Sequence, residues 1–364
     1  MVKMNIDELV KFSNFYGGNT DLVLAGGGNT SAKNGNVMYV KSSGTRLATI
    51  KAEQFAEIDL SKLSQIFEKE YPQDDREREA LVLADLMASK RDEDDNKRPS
   101  VETMLHALFK QTYVLHLHPA VVNGLTCSSG GEKLAKTLFG EKIIWVDACK
   151  PGYILSKICY EKISDYEKQY SENADILFLQ NHGVFIADNT VEGLGIKLNS
   201  IIDTLEKHLV KKPDVFNESR EEGFCKDIIS LFGGCCVAVK SGDIDRLCEN
   251  YQSALSIINP FTPDHIVYCN AYPLWLENAG QLEEKTEEYK SRFNKLPKVI
   301  ICKNKGIYCV APDENKLETV KAVFEDAVKI AVYSQSFGGA LNMSENLTDF
   351  IVNWEVESYR SKQS

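Results

Sequence analysis

Two stretches, Val114-Leu115-His116-Leu117-His118-Pro119 and Leu179-Gln180-Asn181-His182-Gly183-Val184-Phe185, decide how this chain is read. Side chains alternate along a β-strand, so His116 and His118 project from one face. His182 stands at a strand end, just before a glycine turn. The chain has six histidines, so half of them fall in apolar, strand-like surroundings. Three imidazoles converging on one point suit zinc or another divalent transition metal. A four-coordinate ion on three protein ligands keeps one position open, which is the arrangement of a catalytic centre. The competing reading of the His-x-His pair alone is a hydrogen-bonded core or surface pair.

Working outward, residues 6–16 carry apolar side chains at Leu9, Val10, Phe12 and Phe15, near helical spacing. Residues 21–25 read as a strand running into Gly26-Gly27-Gly28-Asn29-Thr30-Ser31. A hairpin follows, with Asn34-Gly35-Asn36 as its turn and residues 37–41 as its second strand. Residues 42–45, Ser-Ser-Gly-Thr, form a second loop of small residues. Residues 78–90 read as a helix and 91–98 as a solvated loop. Ser100 is placed to cap a helix through Lys110, with Glu102 in its first turn. Short strands are expected at 143–146, 176–180 and 184–187, then a long amphipathic helix over 191–211.

Beyond a polar stretch at 212–223, read as a linker, the pattern returns. The run from Asp175 through Asn181-His182-Gly183 lies over Lys298 through Asn304-Lys305-Gly306 without a gap, at an offset of 123 residues. The copy puts Lys305 where the first half has His182. A protonated lysine has no lone pair to offer a metal. The second half is therefore expected to repeat the first without its metal site. The expected domains are 1–212, metal-binding, and 224–364, a degenerate or accessory α/β domain.

At 364 residues the chain exceeds the usual single-domain size, and 43% hydrophobic with 26% charged content describes an ordinary globular protein. A net charge of -11 argues against nucleic acid as the main partner, while leaving room for a local basic pocket that holds a small phosphorylated substrate. No apolar run reaches membrane-spanning length, and residues 1–8 lack the core of a signal peptide. The ten cysteines form no CxxC pair and sit in apolar contexts, so they read as reduced, small hydrophobes of a cytoplasmic protein.

The ordered motifs Gly-Gly-Asn-Thr-Ser, Lys-Ser-Ser-Gly, Pro-Ser-Val-Glu, His-x-His-Pro and Asn-His-Gly resemble the class II aldolase/adducin family. Gly26 through Lys33, Ser100 through His106 and Lys150-Pro151-Gly152-Tyr153 are most similar to the aldolase part of bacterial rhamnulose-phosphate aldolase/alcohol dehydrogenase proteins. Residues 261–265 and 350–359 extend the likeness over nearly the whole chain. The resemblance implies an α/β/α sandwich around a mostly antiparallel sheet, followed by a degenerate second domain of similar type. It implies a zinc-type ion on His116, His118 and His182, and Glu102 as acid/base. Phosphate binding falls on Gly28, Asn29, Ser43, Gly44 and Ser100. Sugar-phosphate aldolases of the family often show Ser-Ser-Glu where this chain has Ser100-Val101-Glu102.

The implied activity is metal-dependent aldol cleavage of a ketose 1-phosphate by a homo-oligomer. A pentulose-phosphate 4-epimerase, a dehydratase or decarboxylase, and a non-enzymatic adducin-like module are the alternatives. No G-x-G-x-x-G follows a strand, which argues against a nicotinamide cofactor on this chain. His106 reads as a core histidine or a partner of the metal ligands, His265 as structural, and His208 as a helix-end residue. Lys33 and Lys41 read as ordinary strand-end lysines or as aids to phosphate binding.

Overall fold

Asn34-Gly35-Asn36 makes the tight turn the sequence suggests, with Gly35 at φ 59°. It joins β1, Asn29–Asn34, to β2, Val37–Lys41, as an antiparallel pair in which Ser31 faces Val40. The computed structural model describes residues 6–92, 95–140, 143–220 and 223–354. They fall into two units: the residues up to Val122 with Glu132–Lys207, Asn353 and Trp354, and Asn123–Gly131 with His208–Val352.

The first unit adds β3 (Phe55–Asp59), β4 (Tyr113–Leu117), β5 (Ile144–Val146), β6 (Ile176–Leu179) and β7 (Gly183–Asp188). The sheet order is β3-β2-β1-β4-β7-β6-β5, antiparallel except for the parallel pair β5–β6. Every residue of β4 is buried, which explains its uninterrupted apolar character. The short helix Thr103–Leu108 is anchored on two cores at once. Met104 packs with Met38, Val40 and Ile58, while its neighbour Leu105 packs with Val114, Leu179 and Phe185. Those two anchors fix the helix's first residue and hence Glu102 immediately before it.

Two local expectations fail. Residues 21–25 are turns rather than a strand: the N–H groups of Leu22 and Val23 both reach back to Asn19 O, and Ala25 takes φ 49°. Pairing instead begins after the glycines, at Asn29, which lies opposite His116. The helix expected from Ser100 to Lys110 spans only Thr103–Leu108, because Ser100 Oγ serves the Glu102 N–H in a preceding turn.

The second unit contains β8 (Asn217–Ser219), β9 (Cys235–Lys240), β10 (Leu274–Leu276), β11 (Val299–Cys302) and β12 (Gly306–Ala311), in the order β10-β11-β12-β9-β8. This reproduces β5-β6-β7-β4-β1 in order and in direction. Registers agree as well. Leu179 opposite Gly183 becomes Cys302 opposite Gly306, and Ile144 opposite Leu177 becomes Leu274 opposite Ile300. His116 opposite Phe185 becomes Ala238 opposite Tyr308. Strand β8 lies within the stretch read as a linker and pairs with β9 at the sheet edge. The chain thus has an α/β fold with a central, mostly antiparallel sheet and a second domain of similar type. Among the described residues the ten cysteines form no disulfide, and eight of them are buried. Residues 355–359 of the closing family-like stretch lie outside the described residues. Among the described residues, no helix is long and apolar enough to cross a membrane.

Candidate metal centre

Strand β4 ends in the site. His116 and His118 lie two residues apart, their ring centroids 4.7 Å from each other. The turn between β6 and β7 supplies His182; Asn181 adopts φ 57°, and the His182 N–H donates to Leu179 O at 3.2 Å. Gly183 then lets the strands close. A Cβ there would lie 2.5 Å from Leu117 O and 2.8 Å from His118 Cδ2. Gly28 plays the matching part on the other side, at φ 65°, where a Cβ would come within 2.9 Å of His116 O.

One ring nitrogen from each of His116, His118 and His182 lies within 4.8 Å of the other two. The Nε2 atoms of His116 and His118 are 2.9 Å apart. Glu102 Oε1 lies 3.2 Å from His116 Nε2 and 3.0 Å from His182 Nε2. His116 Nδ1 is 3.0 Å from Val184 O, so it carries the proton and donates it. That tautomer turns the Nε2 lone pair inward. Burial, acting on a ring with no exposed surface, pushes His116 down to about 4, so it is neutral near pH 7. Inward lone pairs facing a carboxylate oxygen repel one another unless a cation or proton lies between them. The residues present therefore fit a divalent ion, with His116, His118 and His182 able to hold it.

Two opposing influences act on the Glu102 carboxyl. Burial does push it up, but the neighbouring His116 and His182 outweigh burial and hold it well below the usual glutamate range. Its second oxygen accepts a hydrogen bond from the Asn29 side-chain amide. Ser100 Oγ accepts from the Glu102 N–H at 3.3 Å. Asn29, Ser100, Glu102 and the three histidines are thus brought together by direct contacts.

Ser43 and Gly44 lie alongside: the Ser43 N–H donates to Arg98 O at 2.8 Å, and Ser42 forms a bridge with Pro99. Two buried atoms here, Asn29 Oδ1 and Ser42 Oγ, have no hydrogen-bond partner among the described residues. Buried polar atoms are normally paired, so these two are apt for a ligand. Lys41 is buried beneath the glycine loop and donates to Gly26 O at 2.9 Å. Lys33 is instead committed to Phe109 O at 2.7 Å.

Sequence reasoning missed Ser42, because its neighbour Ser43 fitted the motif, and it missed Phe185. The Phe185 ring stacks on His116, centroids 4.0 Å apart, and meets His106 edge-on at 5.3 Å. Its cross-strand register opposite His116 is the signal that could have found it. His106 is fully buried, with Nδ1 2.8 Å from Ser31 Oγ, so it supports the wall behind the site. His265 is structural as read: Nδ1 accepts from the Thr262 N–H, and Nε2 lies 3.4 Å from Asp326. His208 is exposed, just past the helix Val191–Lys207.

Residues 7–194, just over half of the chain, match the class II aldolase and adducin N-terminal domain. The chain belongs to that family. Among full-length relatives, the uncharacterized oxidoreductase YuxG of Bacillus subtilis (strain 168) is 25% identical over 410 aligned residues, covering 98% of this chain. The chain spans 58% of that relative's length. Among solved structures, the N-terminal class II aldolase domain of a conserved protein from Thermoplasma acidophilum is 26% identical, with a TM-score of 0.47, over 57% of this chain and 94% of that one. A sugar-phosphate aldolase from Thermotoga maritima is 15% identical, with a TM-score of 0.40, over 56% of this chain and 92% of its own.

Proposed function

We propose that the chain is a zinc-dependent carbon–carbon lyase that cleaves a ketose 1-phosphate by a retro-aldol reaction, working as a homo-oligomer. One observation carries this reading. A carboxylate, Glu102, is aimed into a cluster of three imidazoles at 3.0 and 3.2 Å from two of them. A binding module has no use for that arrangement. A divalent ion held by His116, His118 and His182 supplies Lewis acidity toward a carbonyl group.

The protein's own groups do the rest. In cleavage, the hydroxyl beside the breaking bond loses a proton as it becomes an aldehyde, and the ketone fragment gains one at carbon. Glu102 moves a proton at Oε1, while the Asn29 amide on Oε2 keeps that oxygen aimed. Asn29 Oδ1 accepts from a substrate hydroxyl. Backbone N–H groups at Gly28 and Gly44, with Ser43 and Ser100, cradle the phosphate.

The test is a panel of ketose 1-phosphates assayed for aldehyde release, with zinc-loaded and chelator-treated protein. Release that disappears on chelation and returns with zinc is the expected result. Zinc-loaded protein that releases aldehyde from none of them overturns the lyase reading. Interconversion of pentulose-phosphate epimers without release assigns the site to epimerisation instead.

A further inference from the structure

The second unit contains a cavity of about 420 Å³ beside β10, the sheet edge opposite β8. Burial alternates along β10: Leu274 and Leu276 enter the core, while Trp275 between them is half-buried and lines the cavity. There Trp275 meets Tyr251 edge-on, with ring centroids 5.6 Å apart. The helix Leu282–Phe293 provides another wall, lining the cavity at three- and four-residue steps. Its Tyr289 hydroxyl donates to Tyr272 O at 2.8 Å, and the Tyr272 ring stacks on Phe293 with centroids 5.5 Å apart.

The charges lining this cavity are unevenly paired. Glu288 is neutralised by Lys285 at 2.7 Å. The Arg292 guanidinium instead lies over Phe293 and Tyr272, 4.8 and 5.9 Å from their centroids. Among the described residues no carboxylate pairs with it. A guanidinium that lies over aromatic rings and has no carboxylate partner keeps N–H groups for a planar, two-oxygen partner.

We propose that this cavity binds a small carboxylic acid with a ring-shaped body, its ring against Trp275 and Tyr251 and its carboxylate on Arg292. The volume lies within the usual range for small-molecule sites, and aromatic walls with one well-placed charge are their usual lining. Glu345, which lines the same cavity, offers an acceptor for a hydroxyl or ammonium group on the ligand. The site shares no residue with the three-histidine cluster, so it stands or falls independently of the reading of that cluster.

Trp275 reports on it directly, since Trp145 and Trp354 are buried. The experiment titrates the full chain with cyclohexanecarboxylate and with the neutral cyclohexylmethanol, following tryptophan emission. A saturable change with the acid is expected, absent in Trp275→Phe, at least tenfold weaker with the alcohol and in Arg292→Gln, and unaltered in His182→Ala. No saturable response to the acid, equal binding of the alcohol, or undiminished binding by folded Arg292→Gln overturns the proposal. The acid–alcohol comparison uses unmodified protein, so it decides the matter even if Arg292→Gln fails to fold.

Discussion

On the proposed reading, Glu102 and Gly183 divide the work at the site between chemistry and space. Glu102 touches two imidazoles yet is tied back by Asn29, so its role is separable from metal binding. Glu102→Gln is expected to keep its metal, read by elemental analysis, and to lose roughly 10²–10⁴ in turnover, the usual worth of a positioned acid/base. Loss of the metal in that variant would make Glu102 a ligand. Gly183 contributes no atoms to chemistry, but its hydrogen holds open the room His118 needs. Gly183→Ala places a methyl 2.8 Å from His118 Cδ2 and 2.5 Å from a strand carbonyl, contacts that real structures do not show. The ring must move, and zinc affinity measured by competition with a chromogenic chelator should fall at least about tenfold, a loss typical when ligand support is disturbed. Unchanged affinity would mean that the β4–β7 pair spreads without disturbing the ligands.

At the scale of elements, what the sequence made legible was whatever a short-range pattern controls. The hairpin was visible in Asn34-Gly35-Asn36, and His116 and His118 could be placed on one face because strand periodicity is local. Strand residues 21–25 were misjudged because apolar Leu22, Val23 and Leu24 look alike in a strand or a buried turn. What decides between them is the backbone bonding to Asn19, which composition does not show. Edge strand β8 was hidden for the opposite reason: Asn217, Glu218 and Ser219 are polar because they are mostly exposed. A further element whose role needed coordinates is the helix Gly242–Leu247. Its Asp243, 4% exposed, receives Lys211 Nζ at 2.6 Å and the Asp214 N–H at 2.7 Å, with Arg246 on the same oxygen as Lys211. Burial pushes this carboxyl up, but Lys211, the Asp214 N–H and Arg246 prevail and hold it below the usual aspartate range. The unfolded chain therefore binds more protons in mild acid. This stabilisation is complete above the unfolded value of about 3.9 and is lost as pH falls through the lower folded value. Asp243→Asn should cost about 1.5–3 kcal/mol at pH 7, as charged hydrogen bonds do. In urea unfolding, the gap to the unmodified chain should close as pH drops below about 4. A gap constant with pH would assign the effect to packing.

Across the whole molecule, five strands of one sheet recur in the other with the same order, directions and registers, while the three clustered histidines do not recur. The repeat was legible around Asn304-Lys305-Gly306 because β11 and β12 keep their spacing from the first half. The counterparts of His116 and His118 were not legible, since β9 lacks any motif. They emerge only from the register: His116 corresponds to Ala238, and His118, two residues on, to Lys240. Gly306 keeps the spatial role of Gly183, with a Cβ position 3.6 Å from Lys240 Cγ where Gly183 has His118. The second copy therefore offers a methyl and two ammonium groups in place of three imidazoles, and ammonium groups repel a divalent cation as well as failing to bind it. Among the described residues, His116, His118 and His182 form the one group of three or more metal-binding side chains within reach of each other. The expected stoichiometry is one zinc per chain, falling to none in the double variant His116→Ala/His182→Ala. Plasma emission spectrometry on gel-filtered protein, reported per chain, checks both numbers. Two ions per chain, or one retained after both histidines are removed, would place a metal outside this cluster and undo the correspondence drawn between the two sheets.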